Sequence, residues 1–242
     1  MKYALTITAT DTSSGAGIYR DLEVFQKLNL WGLNVATGVT VQNFDKVEKI
    51  FPFSSYIVED QLKFILQQFP VSGIKIGITF SRNNMELIKN YLIKYSGSIV
   101  IDPIVASSSG YCFVKKEDMK YFCDDFLSIA DVITPNISEL AFLSGVKIKD
   151  EKDIIRLGQD LQKKYQNVVL VSGGHKSAKF ISNWIFYEDG YKIIEHPRKK
   201  LSISHGTGCR LSSAILGKII HLKETIKAVS EGIKFTWQEL MD

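Results

Sequence analysis

The segment Leu201–Ala214, LSISHGTGCRLSSA, sets two glycines around a threonine and follows them with a cysteine just where an apolar, helix-like pattern begins. Gly206 and Gly208 lack Cβ atoms and let the backbone approach a ligand closely. The helix that follows turns its free N–H groups and positive dipole end towards the same spot, which suits a phosphoryl group. Cys209, at the helix start, is then expected to have a more accessible thiolate than usual. The same residues also suit a tight turn into a buried helix, with Cys209 as a small apolar core residue. The stretch is not a Walker A loop, because it lacks the GxxxxGK[ST] pattern.

Outward from this segment, short β-branched runs alternate with helical patterns nearly throughout. Tyr3–Thr10 reads as a strand followed by a loop at Asp11–Gly15, and Ile18, Leu22, Phe25 and Leu28 then recur at helical spacing. Val35–Val41 is a second strand; Ile57, Leu62, Ile65, Leu66 and Phe69 mark a helix ahead of the strand Gly73–Ile78. Met85, Ile88, Leu92 and Tyr95 make another helix, and SIVIDP ends a strand at Asp102–Pro103. DVITPN reaches a turn at Pro135–Asn136, Ile137–Leu143 and Ile154–Lys164 are helical, and NVVLVSGGH is a buried strand entering a glycine loop. A hairpin closes around Asp189–Gly190, and two helices, Cys209–Ile220 and Glu224–Leu240, finish the chain. This alternation predicts an α/β fold: a mostly parallel central sheet with helices on both faces. No linker or internal repeat divides the 242 residues, so one domain over 1–242 is expected.

Composition excludes several classes. A formal net charge of +4 is too weak for nucleic-acid binding, and the PRKK run at Pro197–Lys200 is short enough for a solvated loop. Cys112, Cys123 and Cys209 are odd in number and widely spaced, with no CxxC pair, and the four histidines show no zinc-like spacing. Reduced thiols and a cytoplasmic location are expected. The N-terminus reads as a first strand instead of a signal peptide, and no apolar run reaches the roughly 18 residues of a membrane span.

Several predicted strands end in small or polar residues: Asp11, Gln42–Asn43, Asp102, Asn136 and Gly173–His175. In doubly wound sheets ligands sit beyond the carboxyl ends of the strands, where these loops meet.

These loops carry a resemblance. ATDTSSGAGIYRDLEVFQKL (Ala9–Leu28), TVQN (Thr40–Asn43), KIGI (Lys75–Ile78), ITPNISELAFLSG (Ile133–Gly145), SGGH (Ser172–His175) and HGTGC (His205–Cys209) occur in the order found in hydroxymethylpyrimidine/phosphomethylpyrimidine kinases. The chain resembles that family, of the ribokinase-like superfamily and the thiamine pathway, over nearly its whole length. The resemblance implies a three-layer ribokinase-like fold, commonly a homodimer. It also implies ATP- and Mg²⁺-dependent phosphorylation of 4-amino-5-hydroxymethyl-2-methylpyrimidine and then of its monophosphate. Related proteins make pyridoxine or pyridoxal kinase the alternative.

By the same resemblance, Gln42 meets the aminopyrimidine edge, where an amide offers both donor and acceptor, although a turn-capping role also fits. Ala9 and Ile78 fall on the substrate side. Asp21 meets the substrate or the phosphate-side cation, or else faces solvent. Asn136 and Glu139 organise Mg²⁺ and nucleotide phosphates, and they also fit a helix capping box. Asp102 joins the magnesium environment; Ser172, Gly174 and Lys176 lie on the nucleotide side. Gly206, Thr207, Gly208 and Cys209 form the anion hole, with Cys209 as the base that accepts or orients the hydroxyl proton. The pattern departs at two family lysines, which are Ser108 and Ser172 here, at two glycines, which are Ala9 and Ser14, and at a common threonine, which is Arg210. Either Lys176 or Arg210 supplies part of the missing charge, or the chain is a catalytically weakened paralogue that binds pyrimidine or nucleotide.

Overall fold

The computed structural model describes residues 1–107, 110–173, 179–198 and 206–240. Ser108, Gly174, His175, Lys176 and His205, to which sequence expectations attach, lie outside the described residues. In chain order the elements are β1 (Tyr3–Asp11), α1 (Gly17–Lys27), β2 (Trp31–Gln42), β3 (Val47–Pro52), α2 (Ser55–Gln68), β4 (Val71–Ile76), α3 (Arg82–Leu92) and β5 (Ser98–Ile101). A run of tight helical turns from Lys116 to Ile129 contains α4 (Met119–Tyr121). Then come β6 (Val132–Ile133), α5 (Ile137–Ser144), α6 (Glu151–Tyr165), β7 (Val168–Gly173), β8 (Phe180–Tyr187), β9 (Gly190–Pro197), α7 (Thr207–Leu222) and α8 (Thr225–Glu239).

Among the described residues the strands form one nine-stranded sheet in the order β3-β2-β1-β4-β5-β6-β7-β8-β9. The run from β2 to β7 is parallel, and β3, β8 and β9 extend it antiparallel at the two sides. Side chains alternate between faces along each strand. Leu5 and Ile7 of β1, Ile74 and Ile76 of β4, and Ile99 and Ile101 of β5 join the core under α2, α3, α5 and α6. Ala4, Val100, Val132 and Leu170 face the opposite core, with Val24 and Phe25 of α1, Ala214 and Ile215 of α7, and Val229 of α8. On that second face β4 presents Gly73 and Lys75, followed by Gly77. A Cβ on Gly73 would lie 2.8 Å from Leu216 and 3.0 Å from Ile220. The missing side chain therefore lets α7 lie directly on the sheet, a position that decides where its first turn points.

Local chemistry sets the helix ends. Ser81 and Asp150 accept the N3 amides of α3 and α6, and α5 begins with a full capping box. Gly145 ends α5 in the left-handed region, at φ 64°. Most expected elements are present with bounds shifted by a few residues. β2 starts at Trp31 instead of Val35, and α7 starts at Thr207 instead of Cys209. Tyr95 lies beyond α3 and not within it; its hydroxyl donates to the Val71 carbonyl at 3.0 Å. β3 and the Lys116–Ile129 run have no counterpart in the sequence reading. β3 is a mostly exposed side strand with no clean alternation, and the run mixes α, 3₁₀ and π turns that share no single period.

Candidate active site

A cleft of about 680 Å³ opens beyond the carboxyl ends of the parallel strands. Asp11 and Gln42 stand at the ends of β1 and β2, Ile78 just past β4, Asp102 just past β5, Thr134 just past β6, and Ser172 and Gly173 at the end of β7. One end is apolar: Ala9 and Ile78 pack in a small cluster with Ile104, Tyr111, Phe80 and Phe113. The other end is polar, with Thr134, Asn136, Glu139 and Gly206–Cys209. Among the described residues three helices begin in the cleft: α1 at Ala16–Gly17, α5 at Ile137 and α7 at Thr207. Their positive dipole ends make an environment for anions.

The turn into α7 is built backbone against backbone. Gly206 has φ 78°, and a Cβ there would lie 1.9 Å from the Gly15 carbonyl oxygen. Gly17, at φ 61°, is equally confined, with its would-be Cβ 2.3 Å from the Ala9 carbonyl oxygen. Gly208 differs: among the described residues a Cβ there meets only the Asp102 Oδ2, at 3.7 Å. The absent side chain at 208 therefore keeps the cleft open instead of permitting a fold. Across the gap the Asp11 carboxylate accepts from the Ser13 and Ala16 amides at 2.7 and 2.8 Å, which holds the loop ahead of α1.

Beneath the cleft floor lies a buried charged network. Lys75 and Asp21 are both wholly buried. The Lys75 ammonium donates to Asp21 Oδ1 and Oδ2 at 3.1 and 2.9 Å. Thr6 Oγ1 and Ser213 Oγ donate to the same carboxylate at 2.6 and 2.7 Å. The next serine, Ser212, donates to Asp102 Oδ2 at 3.2 Å. Two adjacent hydroxyls thus tie α7 to two carboxylates on different elements.

Protonation follows from this burial. Burial works against the Lys75 charge, but Asp21, Cys209 and Asp102 outweigh it and hold the ammonium above its usual range. Burial lifts the Asp102 carboxyl, opposed by Lys75 and reinforced by Asp21. Burial and the neighbouring Asp102 charge lift Glu139 well above the ordinary carboxylate range. The Cys209 thiol is pushed up to about 12, mainly by burial, while Lys75 and a hydrogen bond from the Gly17 amide pull the other way. The expectation of an accessible thiolate is therefore overturned: loss of hydration at a buried sulfur outweighs the helix terminus.

Most of the expected site residues meet in this cleft. Ala9, Gln42, Ile78, Asp102, Asn136, Glu139, Ser172, Gly206, Thr207, Gly208 and Cys209 all line it. Asn136 and Glu139 also form the capping box of α5, at 2.8 and 2.9 Å; the two roles coexist. Asp21 is a correction. It touches neither substrate space nor solvent, because its place on the inner face of α1 and its four hydrogen bonds commit it to the buried network. Arg210 is turned towards the end of α8, where its guanidinium donates to the Glu239 carbonyl at 3.4 Å, and it does not line the cleft. Among the described residues no lysine or arginine lines the cleft. The sequence reading missed Lys75 and Ser213, although a lone lysine in the apolar run GIKIGI was a visible signal. It also missed Phe113 and Cys112, which line the cleft from an irregular segment without a pattern.

Asp102 and Glu139 bring two mutually repelling carboxyls to one cleft, a donor set that suits a hard cation completing its shell with water and phosphate oxygens. Among the described residues no group of three or more His, Cys, Asp and Glu side chains converges as a metal site.

Solved structures share this architecture. A crystal structure of phosphomethylpyrimidine kinase from Clostridium difficile superimposes with a TM-score of 0.86 at 28% identity, covering 99% of this chain and all of that one. Pyridoxal kinase from Bacillus subtilis, solved as an ADP complex, gives a TM-score of 0.87 at 25% identity over 97% of this chain and 90% of its own. The fold is that of a ribokinase-like phosphotransferase. The profile of the phosphomethylpyrimidine kinase family matches residues 11–242. The chain is 33% identical to the hydroxymethylpyrimidine/phosphomethylpyrimidine kinase of Aquifex aeolicus, over 96% of this chain and 91% of that protein. It is 31% identical to the Haemophilus influenzae protein so named, over 90% and 83%. The chain belongs to the phosphomethylpyrimidine kinase family.

Proposed function

We propose that this enzyme transfers the γ-phosphoryl group of ATP to the hydroxymethyl group of 4-amino-5-hydroxymethyl-2-methylpyrimidine, and then to the resulting monophosphate, in thiamine biosynthesis. The observation that carries this is the polarity of the cleft: an apolar pocket for a flat ring at one end, and helix termini with Gly206–Cys209 at the other. Ala9, Ile78 and Phe113 receive the ring, and the Gln42 amide at the end of β2 reads its aminopyrimidine edge. The substrate hydroxyl oxygen attacks the γ-phosphorus, the bond to the β-phosphate oxygen breaks, and ADP departs. Backbone amides of Gly206–Cys209 receive the charge that gathers on the phosphoryl oxygens.

Cys209 orients the hydroxyl as a thiol, because its proton stays bound near neutral pH. In a loose transition state the hydroxyl proton leaves late, and the transferred phosphoryl oxygens accept it. Asp102 and Glu139 would hold Mg²⁺, which supplies positive charge to the phosphate chain when bound. The TM-score to pyridoxal kinase favours pyridoxal as the second candidate substrate. The absence of lysine or arginine around the cleft among the described residues favours a slow enzyme or a binder as the remaining alternative.

The test is ADP release with Mg-ATP and, in parallel, hydroxymethylpyrimidine or pyridoxal. Faster release with the pyrimidine is expected. Faster release with pyridoxal refutes the pyrimidine assignment, and no release with either, alongside measurable binding, supports the non-catalytic alternative.

A further inference from the structure

Lys75 occupies an unlikely place for a lysine. It lies on the α7 face of β4 between two glycines, and none of its surface reaches solvent. A Cβ on Gly77 would lie 3.3 Å from its ammonium and 2.5 Å from Thr8 Oγ1, so the bare residue at 77 leaves room for that head group under the cleft floor. Stability alone does not account for such a pair. Exchanging a buried ion pair for neutral groups of similar volume is often neutral or favourable, whereas removing one partner leaves a buried unpaired charge.

The connections of the pair point upward to the site. Ser213, which donates to Asp21, sits one turn after Cys209 on α7. Ser212 links the same turn to Asp102. Thr8, whose hydroxyl accepts the Ile78 amide at 3.1 Å, lines the cleft directly above Gly77. Lys75 is thus joined through two hydrogen bonds, by way of Asp21 and Ser213, to the second turn of α7.

We propose that Lys75 is a positioning residue for phosphoryl transfer. Through Asp21 and Ser213 it fixes the first turn of α7, and with it the Gly206–Cys209 amides, relative to Asp102. This inference rests on the phosphotransfer reading above and extends it to a residue wholly buried beneath the cleft.

The test separates positioning from fold maintenance with three variants: Lys75→Met, Asp21→Asn and the double Lys75→Met/Asp21→Asn. Each single change strands a buried group and is expected to melt well below the parent. The double change restores neutrality and is expected to melt within about 5 °C of the parent. Its kcat nevertheless falls at least about tenfold while KM for ATP stays within about threefold, because the cradle loses alignment in the transition state more than in the bound ground state. A double variant with parental kcat, or with its loss wholly in KM, overturns the proposal.

If the double variant does not fold, Ser213→Ala gives the same readout with the ion pair intact: a lower kcat at unchanged KM supports the tether, and parental kinetics overturn it. If the unmodified protein turns over neither pyrimidine nor pyridoxal, the functional reading fails separately. Amide exchange then decides the inference in the folded double variant. Faster exchange confined to residues 206–214 supports it; unchanged exchange there overturns it.

Discussion

Replacing Gly206 and Gly208 separately with alanine is expected to damage the protein in opposite ways. At Gly206 the new methyl group meets the Gly15 carbonyl oxygen at 1.9 Å, on a residue whose φ is 78°. The left-handed conformation costs a residue with a Cβ about 1–2 kcal/mol, and shifting the Asp11–Gly17 loop to relieve the overlap costs about 1–3 kcal/mol more. The sum, about 2–5 kcal/mol, corresponds to a fall of about 5–20 °C in Tm for a chain of this size. At Gly208 the methyl group meets, among the described residues, only Asp102 Oδ2 at 3.7 Å and sits within the first turn of α7, where alanine is favoured over glycine by up to about 1 kcal/mol. Tm is therefore expected to hold or rise by about 2–4 °C. The same methyl projects into the cleft and bars an anion from the backbone, so kcat/KM for ATP is expected to fall at least about tenfold, equivalent to about 1.4 kcal/mol. Differential scanning fluorimetry and steady-state ADP release read the two effects. A Gly208→Ala enzyme with kcat/KM within about twofold of the parent would refute the cradle, whatever its Tm.

Three further outcomes follow from the electrostatics. Asp102→Asn should abolish turnover yet stabilise the metal-free protein. Burial raises the Asp102 carboxyl, so folding opposes its ionisation and stability declines as pH rises from the ordinary carboxylate range through the raised one. The variant's advantage in EDTA should be absent near pH 4 and reach about 1–3 kcal/mol near pH 8; a gap independent of pH contradicts the assignment. Iodoacetamide at pH 8 should label exposed Cys112 first and leave Cys209 unmodified, since a thiol held at about 12 has only about one part in ten thousand as thiolate. Because Cys112 lines the cleft, nucleotide with pyrimidine should protect it, and mass spectrometry identifies the labelled residue. Ser172→Lys returns a cation to the cleft wall and should raise kcat/KM for ATP by about tenfold; an unchanged value means that charge at this wall is not limiting.

The layout of the sheet was legible because its signals are local and repeated. The alternation of Leu5 and Ile7 with their neighbours, and the buried runs at β4, β5 and β7, carry the parallel core in periods that a single sequence displays. The strand-end residues Gln42, Asp102 and Asn136 were legible for the same reason, since the fold brings such ends together. Asp21 was misjudged because its polarity suggests a surface. Its true environment is set by Thr6, Lys75 and Ser213, whose positions along the chain give no hint of proximity. Cys209 was misjudged for a related reason: helix position argues for a low thiol pKa, and burial, which only packing reveals, argues more strongly against it. The Lys116–Ile129 turns were hidden because mixed helical types blur the period on which pattern reading depends.

The contact between Gly206 and Gly15 joins two points nearly a whole chain apart, and this has a consequence during synthesis. The parallel strands are all complete by Gly173, and the cleft floor is drawn from the earliest of them. During synthesis α7 therefore follows every strand of the sheet, and until it docks Ala4, Val100 and Leu170 lack the helix that covers them. Non-local closure of this kind is slow and leaves apolar surface open in the interval. The Gly206–Gly15 contact, and the cleft wall it shapes, therefore forms only once α7 has joined the sheet.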